Sequence, residues 1–448
     1  MFKRILIANR GEIAVRIMRT CKLLGIYTIG VYSQADSDAP HVKLADEACF
    51  LGGPRVAESY LNIDKILEVA LQTKAEAIHP GYGLLSENPE FARRCEELGI
   101  VFIGPSHNVI ALMGSKIEAR KAMETAGIPV VPGKSFPLTD AEEAIAAAKQ
   151  IGYPVMLKAS AGGGGIGMQI VKSDDEIRKA FEGNQKRAKD FFGDGSMYVE
   201  KYIEHTRHIE IQILADGAGN TIYLWERECS IQRRHQKVVE EAPSPFLDEI
   251  VRQKMGEAAV TAAKSIGYKN AGTIEFLVDE QKQFYFLEMN TRLQVEHPVT
   301  EEITGLDLVA EQLRIATGGT LTITQGDVKK DGHAIEVRIY AEDPKTFYPS
   351  PGKITKLNIP QGSGIRHELG IHEASMVTTY YDPMIAKLVV KGKERDEAID
   401  KLQAALSKYE IQGIKTNIPM LQRVAEHPKF RSGDTTTAFI DKYINRKT

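Results

Sequence analysis

Between residues 288 and 298 the chain reads Glu288-Met289-Asn290-Thr291-Arg292-Leu293-Gln294-Val295-Glu296-His297-Pro298, two carboxylates, a carboxamide, a guanidinium and a second amide in one short run. A further carboxylate, Glu275, lies in the alternating stretch Thr273-Ile274-Glu275-Phe276-Leu277-Val278. Paired about the midpoint between Gln281 and Lys282, the two stretches make a hairpin in which Glu275 faces Glu288. The two-residue period of a strand then puts Asn290 and Arg292 on the side of Glu288. Two facing carboxylates and an amide oxygen are hard ligands, the set Mg²⁺ takes when it also holds nucleotide phosphates. The plain alternative is a solvated hairpin whose acids keep it soluble. Mixed charge gathered at a strand end, with Arg292 and Glu296 following at once, favours a site.

A second feature is built from glycine. The strand Tyr153 to Lys158 runs into Ser160-Ala161-Gly162-Gly163-Gly164-Gly165-Ile166-Gly167-Met168. Gly162, Gly164 and Gly167 satisfy GxGxxG formally, but Met168 to Val171 reads as a strand, and the next helix opens only at the capping box Ser173 to Glu176. A dinucleotide fingerprint must open a helix and a Walker A loop needs Gly-Lys-Ser/Thr, so neither applies. Strand, glycine loop, strand is instead a flap whose backbone N–H groups can close over phosphates. Lys158, at the strand end, is placed to reach one, and Lys116 is a lone cation at a helix start. Gln232-Arg233-Arg234-His235-Gln236-Lys237 reads as an anion-binding loop after Ile222-Tyr223-Leu224-Trp225; Glu240-Glu241 follows at once, and the cluster is too short for a nucleic-acid patch.

These groups need a frame. Arg4 to Ala8 is a buried strand that turns at Asn9-Arg10-Gly11 into a helix carrying Ile13, Ile17, Cys21 and Leu24, and Tyr27 to Tyr32 is the next strand. This βαβ opening has one glycine where the dinucleotide fingerprint has three, which excludes NAD at this turn. Strands at Ala77-Ile78 and Ile100 to Ile103 extend an open parallel sheet to about residue 110. Its strand-end loops, His79 to Gly83 with Ser86-Glu87-Asn88, and Ile103 to Ser106, read equally as tight turns at sheet ends and as the lining of the crevice where such sheets bind ligands. Thr125 to Pro132 is a proline-rich hinge into a small module, followed by alternating strands at Met197 to Ile203 and His208 to Ile213.

At 448 residues the chain holds two or three domains with real cores. A formal net charge of −3 argues against a nucleic-acid binder. Hydrophobic content of 43% beside 26% charged residues is ordinary globular usage. Four scattered cysteines without CxxC spacing predict neither a disulfide framework nor a zinc site and fit a reducing, cytoplasmic setting. No signal peptide or membrane span is expected.

Over essentially its whole length the chain resembles the biotin carboxylases, the ATP-grasp components of biotin-dependent carboxylases. The resemblance is carried by Ile7 to Ala14, His79 to Asn88, Met113 to Lys116, the glycine flap, Gln232 to Lys237, Glu288 to Pro298, Glu336 to Ile339, Ala341 to Pro344 and Tyr380 to Leu388. It implies a mixed α/β and α+β architecture: an N-terminal open parallel-sheet domain (1–114), an ATP-grasp domain (115–331) with a mobile lid (132–203), and a C-terminal domain (332–448). It also implies roles. Lys116, Lys158, Gly162, Gly163, Gly164, Gly165 and Gly167 would hold the phosphates of ATP, Glu200, Lys201 and Ile203 would meet the adenine, and His208 would lie near the ribose. Gln232 and His235 would run along the nucleotide, while Glu275, Glu288 and Asn290 would carry one or two Mg²⁺ or Mn²⁺. Lys237, Arg292, Gln294 and Val295 would cradle bicarbonate, Glu296 would be the base, and Arg338 would face biotin.

Three positions depart from the family's pattern. Ile166 replaces a common basic residue in the flap, Ser363 a glycine-flanked aromatic, and Leu23 an acidic residue; the last two belong to the usual dimer surface, where Arg19 and Arg366 remain. A homodimer is expected. No Met-Lys-Met occurs, so biotin is expected on a separate carrier protein, with carboxyltransferase subunits completing an acetyl-CoA, propionyl-CoA or similar system. Two rivals stay open here: a bicarbonate-using ATP-grasp enzyme of the carbamoyl phosphate synthetase type, which has no use for Arg338, and a non-catalytic nucleotide sensor.

Overall fold

A computed structural model describes residues 1–134, 136–160 and 168–444, with Phe192 described by its backbone alone. The N-terminal region is a five-stranded parallel sheet of β1 (Arg4–Ile7), β2 (Tyr27–Ser33), β3 (Glu47–Gly52), β4 (Ala77–His79) and β5 (Val101–Phe102), in the order β3-β2-β1-β4-β5. Strand alternation splits its core in two. Ile5 and Ile7 pack with Ile13 and Ile17 of the helix Gly11–Leu23, whereas Leu6 and Ala8 pack with Ile66, Leu67 and Phe91. Both faces are covered, as parallel sheets require. The loop after β4 therefore points to the sheet's C-terminal edge.

The module between the hinge and residue 203 has its own small sheet, β7-β6-β8, from β6 (Val155–Ala159), β7 (Gln169–Val171) and β8 (Met197–Lys201). The helices Ala141–Ile151 and Asp174–Phe192 cover it and close a separate core of Leu138, Ile145, Leu157, Ile177, Phe181 and Val199. Ser173 caps the second helix by accepting from the Glu176 N–H at 3.3 Å, while the Glu176 carboxylate turns to the N–H of Lys172 at 2.8 Å, so the box closes one residue early.

The site is carried by one antiparallel sheet of eight strands in the order β13-β12-β9-β10-β11-β14-β19-β17. They are β9 (Arg207–Ala215), β10 (Thr221–Arg233), β11 (Gln236–Ala242), β12 (Asn270–Val278), β13 (Phe284–Asn290), β14 (His333–Tyr340), β17 (Ile365–Leu369) and β19 (Met384–Gly392). Two small ribbons complete the C-terminal region, β15 (Gly352–Lys353) with β18 (Met376–Val377) and β16 (Lys356–Asn358) with β20 (Glu410–Gln412). The pairing of β11 with β14 carries the sheet straight across residues 331 and 332, so the central and C-terminal regions share a backbone ladder. Their cores remain distinct: Ile209, Ile211, Ile213, Ile274 and Phe276 pack under the helix Glu249–Ser265, and Val337, Ile339, Leu388 and Val390 under the helices Arg395–Lys408 and Ile418–Glu426. Among the described residues no helix is long and apolar enough to cross a membrane.

Candidate active site

The hairpin of β12 and β13 sets Glu275 opposite Glu288 and Thr273 opposite Asn290. The facing pair matches the sequence expectation, by a different route. Near the turn the strands pair Phe276 with Phe286 and Val278 with Phe284, one residue out of step with that expectation, and a bulge at Leu287 restores it at Glu275. A second bulge, in β11, has the same use. Gln232 pairs with Lys237 but Ile231 pairs with Val239, leaving Val238 as the extra residue, and Lys237 and Glu240 reach the same site although three positions apart. Gln232 to Lys237 is thus a tight hairpin rather than the expected loop. Gln232 and Arg233 end β10, Gln236 and Lys237 begin β11, and Arg234 and His235 make the two-residue turn, both with positive φ.

Lys237 is the hub. Its Nζ donates to Glu210 Oε2 at 2.5 Å, Glu275 Oε1 at 2.6 Å and Glu296 Oε1 at 2.7 Å. Arg338, on β14, closes the other side of Glu296, donating from Nη2 to Oε2 at 2.9 Å and from Nε to Glu240 at 2.6 Å. Glu296 is fully buried, which alone would raise its carboxyl pKa. Lys237, Arg338 and Arg227 outweigh that and hold it well below the usual carboxylate range. Glu275 is likewise buried yet held down by Lys237 and His208, whose Nε2 lies 2.9 Å from Glu275 Oε2. A carboxylate kept ionised between two cations can take a proton once a substrate anion displaces one of them.

Arg292 extends the cluster toward the N-terminal sheet. It donates to Glu87 Oε2 at 2.8 Å, Asn290 Oδ1 at 2.9 Å and Gln294 Oε1 at 3.1 Å. Asn290 and Gln294 in turn donate to Glu275 Oε1, at 2.8 and 3.4 Å. The backbone carbonyl of Val295 accepts from Lys387 at 2.6 Å, which fixes the loop between Gln294 and Glu296. A guanidinium, an ammonium and an amide converging beside a carboxylate form a cradle for a small anion.

Toward the small module, Lys158 Nζ and Arg120 Nη1 donate to the Glu200 carboxylate at 2.5 and 3.1 Å. Burial and Lys158 lower the Lys116 amine pKa, against the pull of Glu288. Lys201 is turned away, donating to the carbonyls of Gly152 and Tyr153 at 2.9 and 3.1 Å; Ile203 is half-buried, Gln232 donates to the Cys229 carbonyl at 3.0 Å, and His235 is exposed on the turn. Gly162, Gly163, Gly164, Gly165, Ile166 and Gly167 lie outside the described residues.

Among the described residues two groups, His208-Glu210-Glu275 and Glu210-Cys229-Glu296, gather atoms that could ligate a divalent cation. Burial and the neighbouring Glu275 both push the Glu288 carboxyl up, as expected of paired acids short of positive charge. His208, Glu210 and Glu275 also gather their ligating atoms within 4.8 Å of one another, but there the Lys237 ammonium already touches Glu210 and Glu275. Of the expected set Glu275, Glu288 and Asn290, Glu288 has no ion pair among the described residues, while Glu275 Oε1 accepts from Lys237 and Asn290 Oδ1 from Arg292.

Several partners escaped the sequence reading. Arg227 is wholly buried and binds Glu210 on the strand opposite, Gln212 at 2.8 Å, Thr300 at 2.9 Å and Thr273 at 3.0 Å. Glu210 sits on the face of β9 that also bears His208 and Gln212 and alternates with Ile209, Ile211 and Ile213. The available signal was that alternation: three polar residues in register beside Glu275 across β12.

The chain matches three family models in order: "Biotin carboxylase, N-terminal domain" over residues 1–110, "Carbamoyl-phosphate synthase L chain, ATP binding domain" over 115–324, and "Biotin carboxylase C-terminal domain" over 336–442. It is 65% identical over 444 residues to Biotin carboxylase 2 of Bacillus subtilis, covering 99% of this chain and 100% of that protein. Among solved structures, biotin carboxylase from Campylobacter jejuni in a β-γ-ATP complex is 49% identical with a TM-score of 0.97, covering 99% of both chains. The biotin carboxylase domain dimer of Hydrogenobacter thermophilus 2-oxoglutarate carboxylase, in complex with MgADP, ADP and bicarbonate, is 51% identical with a TM-score of 0.96, covering 99% of this chain and 98% of that one. The chain belongs to the biotin carboxylases, ATP-dependent ligases of the biotin-dependent carboxylases.

Proposed function

We propose that the chain carboxylates biotin borne by a separate carrier protein, as the first half-reaction of a carboxylase such as acetyl-CoA carboxylase. In this reading Glu296 takes the bicarbonate proton and the freed oxygen attacks the γ-phosphorus of ATP, expelling ADP and leaving carboxyphosphate. Lys237, Arg292, Gln294 and the Val295 backbone hold the anion against the like-charged triphosphate. Carboxyphosphate breaks to CO₂ and phosphate, phosphate takes the ureido N–H proton, and the nitrogen attacks CO₂. Arg338, permanently charged, stabilises the ureido oxygen as it gains negative charge.

Lys116, Lys158 and the flap hold the phosphates of ATP, and Glu200, Lys201, Ile203, His208, Gln232 and His235 border the nucleoside. Mg²⁺ or Mn²⁺ on Glu275, Glu288 and Asn290 supplies charge neutralisation at the phosphates. The functional units run 1–114, 115–331 with the lid 132–203, and 332–448, and closure of that lid keeps water from the intermediate. The chain works in the cytoplasm as a homodimer with carrier and carboxyltransferase partners. Its dimer face centres on Arg19 and Arg366, which both reach Glu368, beside Leu23, 85% exposed.

The observation that carries the proposal is the clamp on Glu296, with Lys237 at 2.7 Å and Arg338 at 2.9 Å. The test is transfer of labelled bicarbonate to free biotin with ATP and Mg²⁺. Label in biotin, together with ATP hydrolysis that rises on adding biotin, is expected. Bicarbonate-dependent hydrolysis indifferent to biotin would return the chain to the carbamoyl phosphate type.

A further inference from the structure

Behind Arg338 lies a pair of acids that the reaction above does not use. Glu240 on β11 and Glu336 on β14 are opposed in the antiparallel register, and both are fully buried. Glu240 Oε1 accepts from Arg338 Nε at 2.6 Å, while its Oε2 and both oxygens of Glu336 have no hydrogen-bond partner among the described residues. The cations facing the pair are few. Arg338 is divided between Glu240 and Glu296; Lys387, on β19, is held by the Val295 carbonyl at 2.6 Å and Glu12 at 3.3 Å; Lys237 is held by three other acids. The remaining titratable neighbours are Glu296, the Tyr82 phenol, which donates to Glu12, and the Cys229 thiol and Tyr340 phenol beside Glu240. Two ionised carboxylates cannot share so little positive charge out of water.

We propose that Glu240 and Glu336 are positioning residues for Arg338: ionised Glu240 fixes the guanidinium through Nε, and protonated Glu336 leaves the Nη2 edge free to exchange Glu296 for the biotin ureido oxygen. Were Glu336 to ionise, a second carboxylate would compete for Arg338 and draw it back from the substrate. Burial pushes the Glu336 carboxyl well above its usual range, and burial raises Glu240 to about 7 against the pull of Arg338. The inference rests on Arg338 facing biotin, so Arg338→Gln is measured in parallel.

The readouts are KM for free biotin, KM for ATP, and the pH profile of biotin-dependent turnover relative to biotin-independent ATP hydrolysis. Glu240→Gln is expected to raise KM for biotin about tenfold while KM for ATP moves less than twofold. In the unmodified enzyme the ratio should fall on the alkaline side, and Glu336→Gln, locked in the uncharged form, should abolish that fall. KM for biotin unchanged in Glu240→Gln, or the same alkaline fall in Glu336→Gln, overturns the proposal; should either variant fail to fold, an unmodified enzyme whose ratio stays flat with pH overturns it alone. If Arg338→Gln also leaves biotin kinetics untouched, the role of Arg338 itself has failed; a biotin effect in Arg338→Gln with none in Glu240→Gln fails only this pair.

Discussion

Replacing Lys237 with methionine keeps most of the side-chain volume and removes one charge that three carboxylates share. Glu210, Glu275 and Glu296 lie 2.5, 2.6 and 2.7 Å from its ammonium, and the first and third are fully buried. Arg227 and Arg338 still serve Glu210 and Glu296, and His208 still serves Glu275, so the loss is less than three full ion pairs. Leaving a buried charge uncompensated costs about 3–5 kcal/mol. For a cooperative unit of about 250 residues, at about 2 °C per kcal/mol, that lowers Tm by about 6–10 °C at pH 7. The pH dependence fixes the cause. With Lys237 present, Glu275 and Glu296 have folded pKa values below their unfolded ones, so they add stability above the unfolded value of about 4.3, and it is lost as pH falls through the folded values. Without it that depression shrinks, so the variant gains less stability as pH climbs. Melting followed by circular dichroism at pH 5 and pH 8 should show a deficit that is larger at pH 8. An equal deficit at both, or none, would refute the electrostatic reasoning and leave Lys237 as a packing residue.

Three further outcomes follow from the same geometry. Glu296→Gln should keep ATP affinity and lower turnover by about 10²–10⁴, the span of general-base catalysis, and a rate within fivefold of the unmodified enzyme would remove it as the base. Glu87→Gln weakens the only carboxylate contact the described residues give Arg292, at 2.8 Å; KM for bicarbonate should rise several-fold with KM for biotin little changed, and the reverse pattern would detach Glu87 from the anion cradle. Glu288→Gln should shift the Mg²⁺ concentration for half-maximal ATP hydrolysis upward by about tenfold, and an unshifted Mg²⁺ titration would argue that Glu288 is no ligand.

The legible and illegible parts of this chain differ by range. The βαβ opening, the lid strands and the Glu275–Glu288 hairpin lie close in sequence, and their periods and turn residues could be read directly. Even there Leu287 and Val238 were invisible, because a bulge adds one residue without changing the hydrophobic pattern. The Gln232 to Lys237 stretch looked like a loop since Arg234 and His235 take positive φ, which local propensity assigns to Gly or Asn. Arg227, Glu210 and Glu240 were lost for another reason. An acid or arginine alternating with isoleucine or valine looks half exposed, and here the polar face is buried because the helix His297–Thr304 packs over β10, β11 and β14, where Thr300 accepts from Arg227. The family resemblance supplied the roles of Arg338 and Glu296, which no local pattern could assign.

The account turns on bicarbonate oxygen reaching phosphorus with Glu296 as the base. Turnover in ¹⁸O-labelled bicarbonate with ATP, Mg²⁺ and biotin, followed by mass spectrometry of the inorganic phosphate, observes that bond. One ¹⁸O per phosphate formed, with the labelled product lost in Glu296→Gln, is the predicted result. Phosphate whose new oxygen comes from water, with biotin still carboxylated, would contradict it.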